Sequence, residues 1–501
     1  MDPTAPHSAP PSRLSRAGVL VLAACFVGYA FFIARHGGSY AGGADSSGYL
    51  NSARLFGEGR LFAEPRVPTG RHHAEFGAMA FQPLGFVSDP NIPRLTPTYP
   101  TGLPLHLMVA SWFVGWQFTA TVVNIFAALG SGLILWGLAR RLQLTAEWAA
   151  AALALLWLCP LTLFATLQPM SDLLALFWSL TALWSALRCR EHWRWTLLAG
   201  LSASLAVLVR PTNALLVLPL ALALGADLRR HLLLILSGLP GAVFFCYYNW
   251  RAYGSPLTSG YGDVWNAFGP VNLAPNLSHF AWWIPALLTP LVVAALGAPL
   301  VRPARQRDLA VLGLWALLLI GFYACYYHSG ETWWYLRFIL PAFPVLILAA
   351  LVVLQHGCRQ LGPSRRAPLA LATLMVFAAV WQIKLTRRLE VLSIIGGEAH
   401  YQHAADWARS HLPPESAIFC MQVSGALYFY TPFLLIRWDQ TLADRMAELF
   451  AVLQQEKRPV YAMLYDFEKS DAFVRMGGRW NQIATVGNTT VWQLEAASTA
   501  P

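Results

Sequence analysis

Asp45 follows the first apolar run by about ten residues, in Gly42-Gly43-Ala44-Asp45-Ser46-Ser47-Gly48-Tyr49, and is the first carboxylate of a long polar stretch. A carboxylate there has two uses. It suits the free N–H groups of a helix start, and Tyr49, Ala53 and Phe56 follow it at helical spacing on one face. It is also a base, able to take a proton from a hydroxyl held against it. The residues alone leave both readings open. Arg210, just before Pro211, and Arg337, in Trp333-Trp334-Tyr335-Leu336-Arg337-Phe338, stand at the ends of apolar runs, and Arg251 is a third such residue. Each is either an interfacial anchor with its stem in lipid or a clamp for phosphate oxygens, which a guanidinium binds bidentately without losing its charge. Tyr49, Tyr99, Asp172, Asn249, Tyr261 and Glu331 are the polar and aromatic candidates to line a cavity with them.

His72, His73 and Glu75 are of metal-binding type, but adjacent histidines in an extended segment point to opposite sides and no third ligand group accompanies them. No cofactor is certain, and a divalent metal stays open as an alternative that these residues do not support. The seven cysteines are scattered without a CxxC pair, which argues against both a disulfide framework and a zinc site. Asp89 and Glu58 read as solvated. The segment from Tyr248 to Asp263, rich in aromatics and turn formers, is either a sugar-stacking surface or a tight interfacial turn.

The elements that must position these groups are set by composition. Of the 501 residues, 56% are hydrophobic and 12% are charged, about half the roughly 25% charge of soluble domains. Apolar runs long enough for a hydrocarbon core of about 30 Å recur along the chain, so the fold class is an α-helical polytopic membrane protein. Candidate spans are 17–35, 118–139, 147–167, 172–188, 195–209, 212–227, 231–250, 281–300, 308–327, 337–356 and 367–385, about eleven helices. Basic clusters fall at every second boundary: Arg13/Arg16, Arg140/Arg141, Arg188/Arg190/Arg194, Arg229/Arg230, Arg302/Arg305/Arg307 and Arg359/Arg365/Arg366. The net charge of +10 is thus the positive-inside pattern of a membrane protein rather than a nucleic-acid-binding surface. The N-terminus is expected in the cytoplasm after a disordered leader, 1–16, and residues 103–116 are expected as an interfacial or re-entrant helix.

The same alternation places five polar segments on one outer face: the loop 36–102, 168–172, 210–213, the loop 251–280 and 328–337. Polar groups at membrane depth usually face a cavity, so a shared outward cavity is expected. The long first loop reads as packed against the bilayer. Beyond residue 389 the composition becomes that of a soluble protein, and strand-length apolar runs at 417–422, 432–438, 459–464, 481–485 and 489–494 alternate with helical stretches. The expected division is a transmembrane domain, 17–389, and a small extracytoplasmic α/β domain, 390–501.

In order and sidedness the chain resembles the GT-C superfamily of membrane glycosyltransferases, and within it bacterial relatives of protein O-mannosyltransferases and of the lipid A aminoarabinose transferase (families 39 and 83). The resemblance rests on Asp45-x-x-x-Tyr49-x-x-x-Ala53, Tyr99-Pro100-x-Gly102-x-Pro104-Leu105, Ser171-Asp172, Arg337-x-x-x-Pro341-x-x-Pro344 and the Asn249 to Tyr261 segment, over roughly residues 15–390. It implies a multi-pass protein of a bacterial inner membrane. The implied activity moves a sugar from a polyprenyl-phosphate donor to a hydroxyl of a lipid, glycan or protein acceptor by inversion at the outer face, with membrane lipid around it and no nucleic acid. The catalytic role falls on Asp45, at a near-normal pKa, with arginines on the departing phosphate. Many relatives carry a second acid where this chain has Ser46, and Glu where it has Asp172. The alternative reading is a transporter or flippase of lipid-linked glycans, or an inactive scaffold.

Overall fold

Prolines decide where the apolar runs bend. The computed structural model describes residues 15–262, 264–301, 305–360 and 366–495; the leader up to residue 14, with Arg13, and also Asp263, Arg302 and Arg365 lie outside the described residues. The chain opens with α1 (Arg16–His36) and α2 (Ala44–Gly57), then a short antiparallel hairpin, β1 (Phe86–Asp89) and β2 (Ile92–Pro97). Helices α3 (Gly102–Val114), α4 (Thr119–Arg141), α5 (Ala146–Trp157) and α6 (Pro160–Thr166) follow, the last two bent by 62° where Pro160 starts the second. Next come α7 (Ser171–Leu187), α8 (Trp193–Val209), a 3₁₀ turn at Pro211–Leu216, α9 (Val217–Leu224) and α10 (Leu228–Tyr253). Helix α11 (Leu273–Leu288) leads through Thr289 into a 3₁₀ segment, Pro290–Leu300, with a 107° bend at Pro290. Helix α12 (Gln306–Ala324), a 3₁₀ stretch at Trp333–Ala342 containing Pro341, α13 (Phe343–Gln360) and α14 (Arg366–Arg388) complete the apolar part.

The protein is a multi-pass membrane protein. Among the described residues six helices are long and apolar enough to cross a membrane, or eight if each bent pair is one span, where the apolar runs suggest about eleven. The difference lies in α7, α8 and the Pro211–Leu224 stretch, which are shorter apolar helices. At 1.5 Å per residue a 17-residue helix rises about 25 Å, less than a hydrocarbon core. Helix α7 is buried at nearly every position, so it needs protein neighbours rather than lipid on all sides. By contrast α1 and α10 expose large apolar side chains such as Leu20, Phe31, Ile235 and Leu236, as lipid-facing helices do. The 103–116 run forms α3, of 13 residues, with Trp112 and Phe113 exposed near its end.

After α14 the chain forms α15 (Ile394–His411), β3 (Ala417–Cys420), α16 (Ser424–Tyr430), β4 (Leu434–Arg437), α17 (Met446–Gln455), β5 (Val460–Tyr465), α18 (Lys469–Met476), β6 (Trp480–Val486) and β7 (Thr489–Leu494). The strands make one sheet, ordered β4-β3-β5-β7-β6, with β4, β3 and β5 parallel and β7 antiparallel to both its neighbours. Alternation divides its side chains. Phe419, Ile436 and Leu464 face α17 and α18, while Ile418, Leu435 and Met463 face α15 and α16.

The first loop packs on this sheet, which corrects the expectation that it lies against the bilayer. Phe76 and Phe81 enter the core beneath α17 and α18. The Arg437 and Leu442 amides donate to the Ala80 and Phe76 carbonyls at 2.7 and 2.9 Å. Arg66 donates to the carbonyls of Tyr428, Thr431 and Phe433. Apolar residues in a loop next to a bilayer suggest lipid, but here they complete a protein core some 340 residues away in sequence.

Candidate active site

Helix α2 presents Asp45 in its first turn, and the carboxylate does not cap it. The N-cap is Gly43, which supplies no side-chain bond, and Asp45 Oδ2 instead accepts from Arg337 Nη2 at 2.8 Å. The helix is held by close backbone approach. A Cβ on Gly48 would overlap the Tyr99 ring and lie 3.0 Å from Gly85 Cα, and Gly85 has φ +90°, a conformation that favours glycine. This clasp sets Tyr99 beside Asp45, where its hydroxyl is a hydrogen-bonding partner of the carboxylate. We expect Gly48→Ala to push the Tyr99 ring away, to cost about 1–3 kcal/mol of stability, and to change the environment of Asp45. The melting temperature would report it, and an unchanged value would contradict the clasp.

A second ion pair stands next to the first. Because residues before proline are driven out of the helical region, Arg210 is extended (φ −144°, ψ 112°) at the break between α8 and Pro211. That aims its side chain inward. Arg210 Nη2 donates to Asp172 Oδ1 at 2.6 Å and Nε to Ser171 Oγ at 3.1 Å, in the first turn of α7. The Tyr49 hydroxyl donates to the same Ser171 oxygen at 3.0 Å. Asp45 also feels the charge of Arg210, so the two pairs form one group. The Phe338 ring joins them, with the Arg210 and Arg337 guanidinium carbons 5.2 and 5.4 Å from its centre.

Two carboxylates and two guanidiniums make this quartet neutral, yet its hydrogen bonding is incomplete. Arg210 Nη1, Arg337 Nε and Asp172 Oδ2 are buried without a partner. Buried polar groups left unpaired are costly, so these atoms retain unused hydrogen-bonding capacity. Burial pushes the Asp45 carboxyl up, but the Arg337 charge, the bonds from Tyr99 and Arg337, and the Arg210 charge outweigh it and hold the group below its ordinary value. This corrects the near-normal value expected from an exposed loop acid: the arginine expected on phosphate is bonded to the acid itself. Burial, with the Asp45 charge second, pushes the Tyr49 hydroxyl up to about 12, so it stays a neutral donor.

The other sequence candidates divide. Tyr99 and Tyr261 reach the group in a chain of rings, Tyr49 to Tyr99 at 4.8 Å and Tyr99 to Tyr261 at 6.0 Å. Asn249 is buried and donates to the Pro256 carbonyl, which ties the 249–256 turn rather than entering the site. Arg251 is exposed in the last turn of α10 and Glu331 pairs with His328 at 2.6 Å; neither is bonded to the quartet. Of the metal candidates, His73 bonds the Asp89 carbonyl and Glu75 pairs with Arg71, and no group of three potential ligands occurs among the described residues.

Two residues at the site escaped the sequence reading. Phe338 follows Arg337 directly in the chain, but an aromatic at a span start reads as an anchor. Glu398, from α15, gave no signal because it lies some 350 residues from Asp45. Its Oε1 accepts from the Gly43 amide at 3.4 Å and it bonds Ser46, while its Oε2 is buried and unpartnered. Burial pushes this carboxyl up, with the Asp45 charge adding to the effect against the Ser46 and Gly43 bonds. A second acid therefore stands near Asp45, supplied in space rather than by the next residue.

No family model matches the chain, and no curated protein sequence does. Solved structures do. ArnT from Cupriavidus metallidurans bound to undecaprenyl phosphate is similar at a TM-score of 0.60 and 14% identity, over 97% of this chain and 100% of that one. The Archaeoglobus fulgidus oligosaccharyltransferase tethered to an acceptor peptide is similar at 0.54 and 11% identity, over 91% and 70%. Arabinofuranosyltransferase AftD from Mycobacteria is similar at 0.55 and 15% identity, over 97% of this chain and 40% of that one.

Proposed function

We propose that this chain, which has the GT-C fold, is a membrane glycosyltransferase that moves a sugar from a polyprenyl-phosphate donor to an acceptor hydroxyl at the outer face of a bacterial inner membrane. The observation that carries the reading is the neutral quartet of Asp45, Arg337, Asp172 and Arg210, with two buried guanidinium donors left open. The open donors suit phosphate oxygens, and the bound undecaprenyl phosphate of the similar ArnT structure agrees with that class of donor.

In the resting protein Asp45 is engaged by Arg337. When the donor phosphate takes up the Arg337 and Arg210 donors, Asp45 loses its strongest counter-ion and gains affinity for a proton. The acceptor oxygen then attacks the anomeric carbon from the face opposite the phosphate, its proton passes to Asp45, and the bond from that carbon to the phosphate oxygen breaks. The departing polyprenyl phosphate keeps its charge against the guanidiniums, so no general acid is required. Tyr99, a neutral donor beside Asp45, orients the carboxylate, and Tyr49 holds Ser171 against Arg210.

The direct test supplies purified protein in vesicles with a panel of polyprenyl-phosphate sugars and lipid, glycan and peptide acceptors, with and without chelator. Inverted glycoside product is expected. Movement of the lipid-linked sugar across the vesicle with no product would replace this reading with a flippase.

Charge sets a pH dependence. Asp45 is held below its ordinary value of about 4, so it stays ionised through the neutral range. The stability it contributes is complete above about pH 4 and is lost as pH falls through the lowered value. The melting-temperature difference between wild type and Asp45→Asn should therefore be flat from about pH 5 to 8 and shrink below about pH 4. A difference that widened toward acid would contradict the ion pair.

A further inference from the structure

At the other end of the bundle, about 25 Å from Asp172 along α7, arginines converge on a cavity that the proposed transfer does not use. It has a volume of about 230 Å³ and is lined by Arg141, Arg190, Arg305, Arg307 and Asp308 among others. Four guanidiniums thus face one carboxylate. That carboxylate is already taken, since Asp308 Oδ2 accepts from Arg141 Nε at 2.7 Å. Arg141 is fully engaged, with its other nitrogens on Glu191 and the Leu187 carbonyl. Arg307 Nη2 donates to the Leu222 and Ala223 carbonyls at the end of α9, which fixes its position but does not neutralise it.

The remaining two are uncompensated. Neither Arg190 nor Arg305 has an ion pair or side-chain hydrogen bond among the described residues. Arg190 is not splayed away from its neighbour: a Cβ built on Gly225 would lie 3.4 Å from Arg307 Nη2 and 3.7 Å from Arg190 Nη2. The two like charges thus border the same gap, which the missing side chain of glycine leaves open. Repulsion of this kind is relieved by an anion with several acceptor oxygens, which guanidinium forks bind bidentately. On the positive-inside reading of the basic clusters, this end of the bundle is the one that meets the leaflet carrying anionic lipid.

We propose that this cavity is a binding site for a phosphate-bearing anion, either the headgroup phosphate of an anionic lipid or a soluble phosphate, and that Arg190, Arg305 and Arg307 hold it. Purified, delipidated protein would be melted in two arms. One adds inorganic phosphate or pyrophosphate in detergent at constant ionic strength. The other places the protein in bilayers of phosphatidylcholine alone or mixed with phosphatidylglycerol. The same arms are run on Arg190→Gln/Arg305→Gln, on Arg190→Lys/Arg305→Lys, and on Arg194→Gln/Arg359→Gln, which removes equal charge from outside the cavity. The melting temperature should rise in at least one arm for wild type, for the lysine pair and for the outside pair, and at least half of that rise should vanish in the glutamine pair at the cavity. A rise with soluble phosphate assigns a free anion; a rise confined to the phosphatidylglycerol bilayer assigns a headgroup. No rise in either arm, or an equal rise in both glutamine pairs, overturns the site.

Discussion

Asp45→Asn should lower the turnover of sugar transfer by about 100- to 10,000-fold, the range a positioned general base contributes, while leaving donor binding intact or tighter. The asparagine keeps the shape of the side chain and an oxygen for Arg337 Nη2, now 2.8 Å from the carboxylate. It removes only the charge and the capacity to accept a proton. The loss of stability should be modest. Asp45 is one-third exposed and its partner is 13% exposed, so the pair lies between surface pairs worth about 1 kcal/mol or less and buried pairs whose breakage costs about 3–5 kcal/mol. Freed of its carboxylate, Arg337 becomes a better phosphate ligand, so affinity for polyprenyl phosphate alone should not fall. A drop in kcat with an unweakened Kd separates a catalytic base from a residue that merely holds Arg337 in place. Full turnover in this variant would remove Asp45 from the chemistry.

Much of this site was legible because its members sit at breaks in apolar runs. Arg210 before Pro211, Asp172 after Pro169-Met170-Ser171, and Arg337 ahead of Pro341 each follow from a residue pair that forbids a continuous helix. Their common sidedness came from the arginine clusters at the alternate boundaries. The structure adds who bonds to whom. Arginines expected on a ligand are partnered by carboxylates, because a buried charge needs a counter-charge. Sequence spacing cannot express that pairing. Nor could it find Glu398, whose approach to Gly43 and Ser46 depends on α15 packing against the start of α2. The apolar runs at 417–422, 432–438, 459–464, 481–485 and 489–494 were readable from their strand length and their alternation with helical stretches, and each holds a strand. The covering of that sheet by Phe76 and Phe81 was not, since a loop's apolar residues do not say which surface they bury against.

Arg337→Ala is the second large effect, and it should appear in donor affinity: about 100-fold or more weaker binding of polyprenyl phosphate, as expected for losing two charge-assisted hydrogen bonds of about 1.5–3 kcal/mol each. Stability should fall as well, since Asp45 is left without its counter-charge, so affinity must be measured on folded protein below its melting transition. Arg337→Lys keeps the charge but not the fork, and should recover only part of the affinity. The double variant Asp45→Asn/Arg337→Ala isolates the role. If Arg337 served only to hold Asp45, removing it from a chain that already lacks the carboxylate would leave phosphate binding unchanged. If it binds phosphate directly, the double variant binds as weakly as Arg337→Ala while regaining stability, because neither partner is left charged and alone. The second pattern is expected, since Arg337 Nε is already buried and unpartnered beside Arg210 Nη1 in the same condition. Two open donors on guanidiniums that share the Phe338 ring are more than the Asp45 bond requires, and a phosphate has the oxygens to fill both.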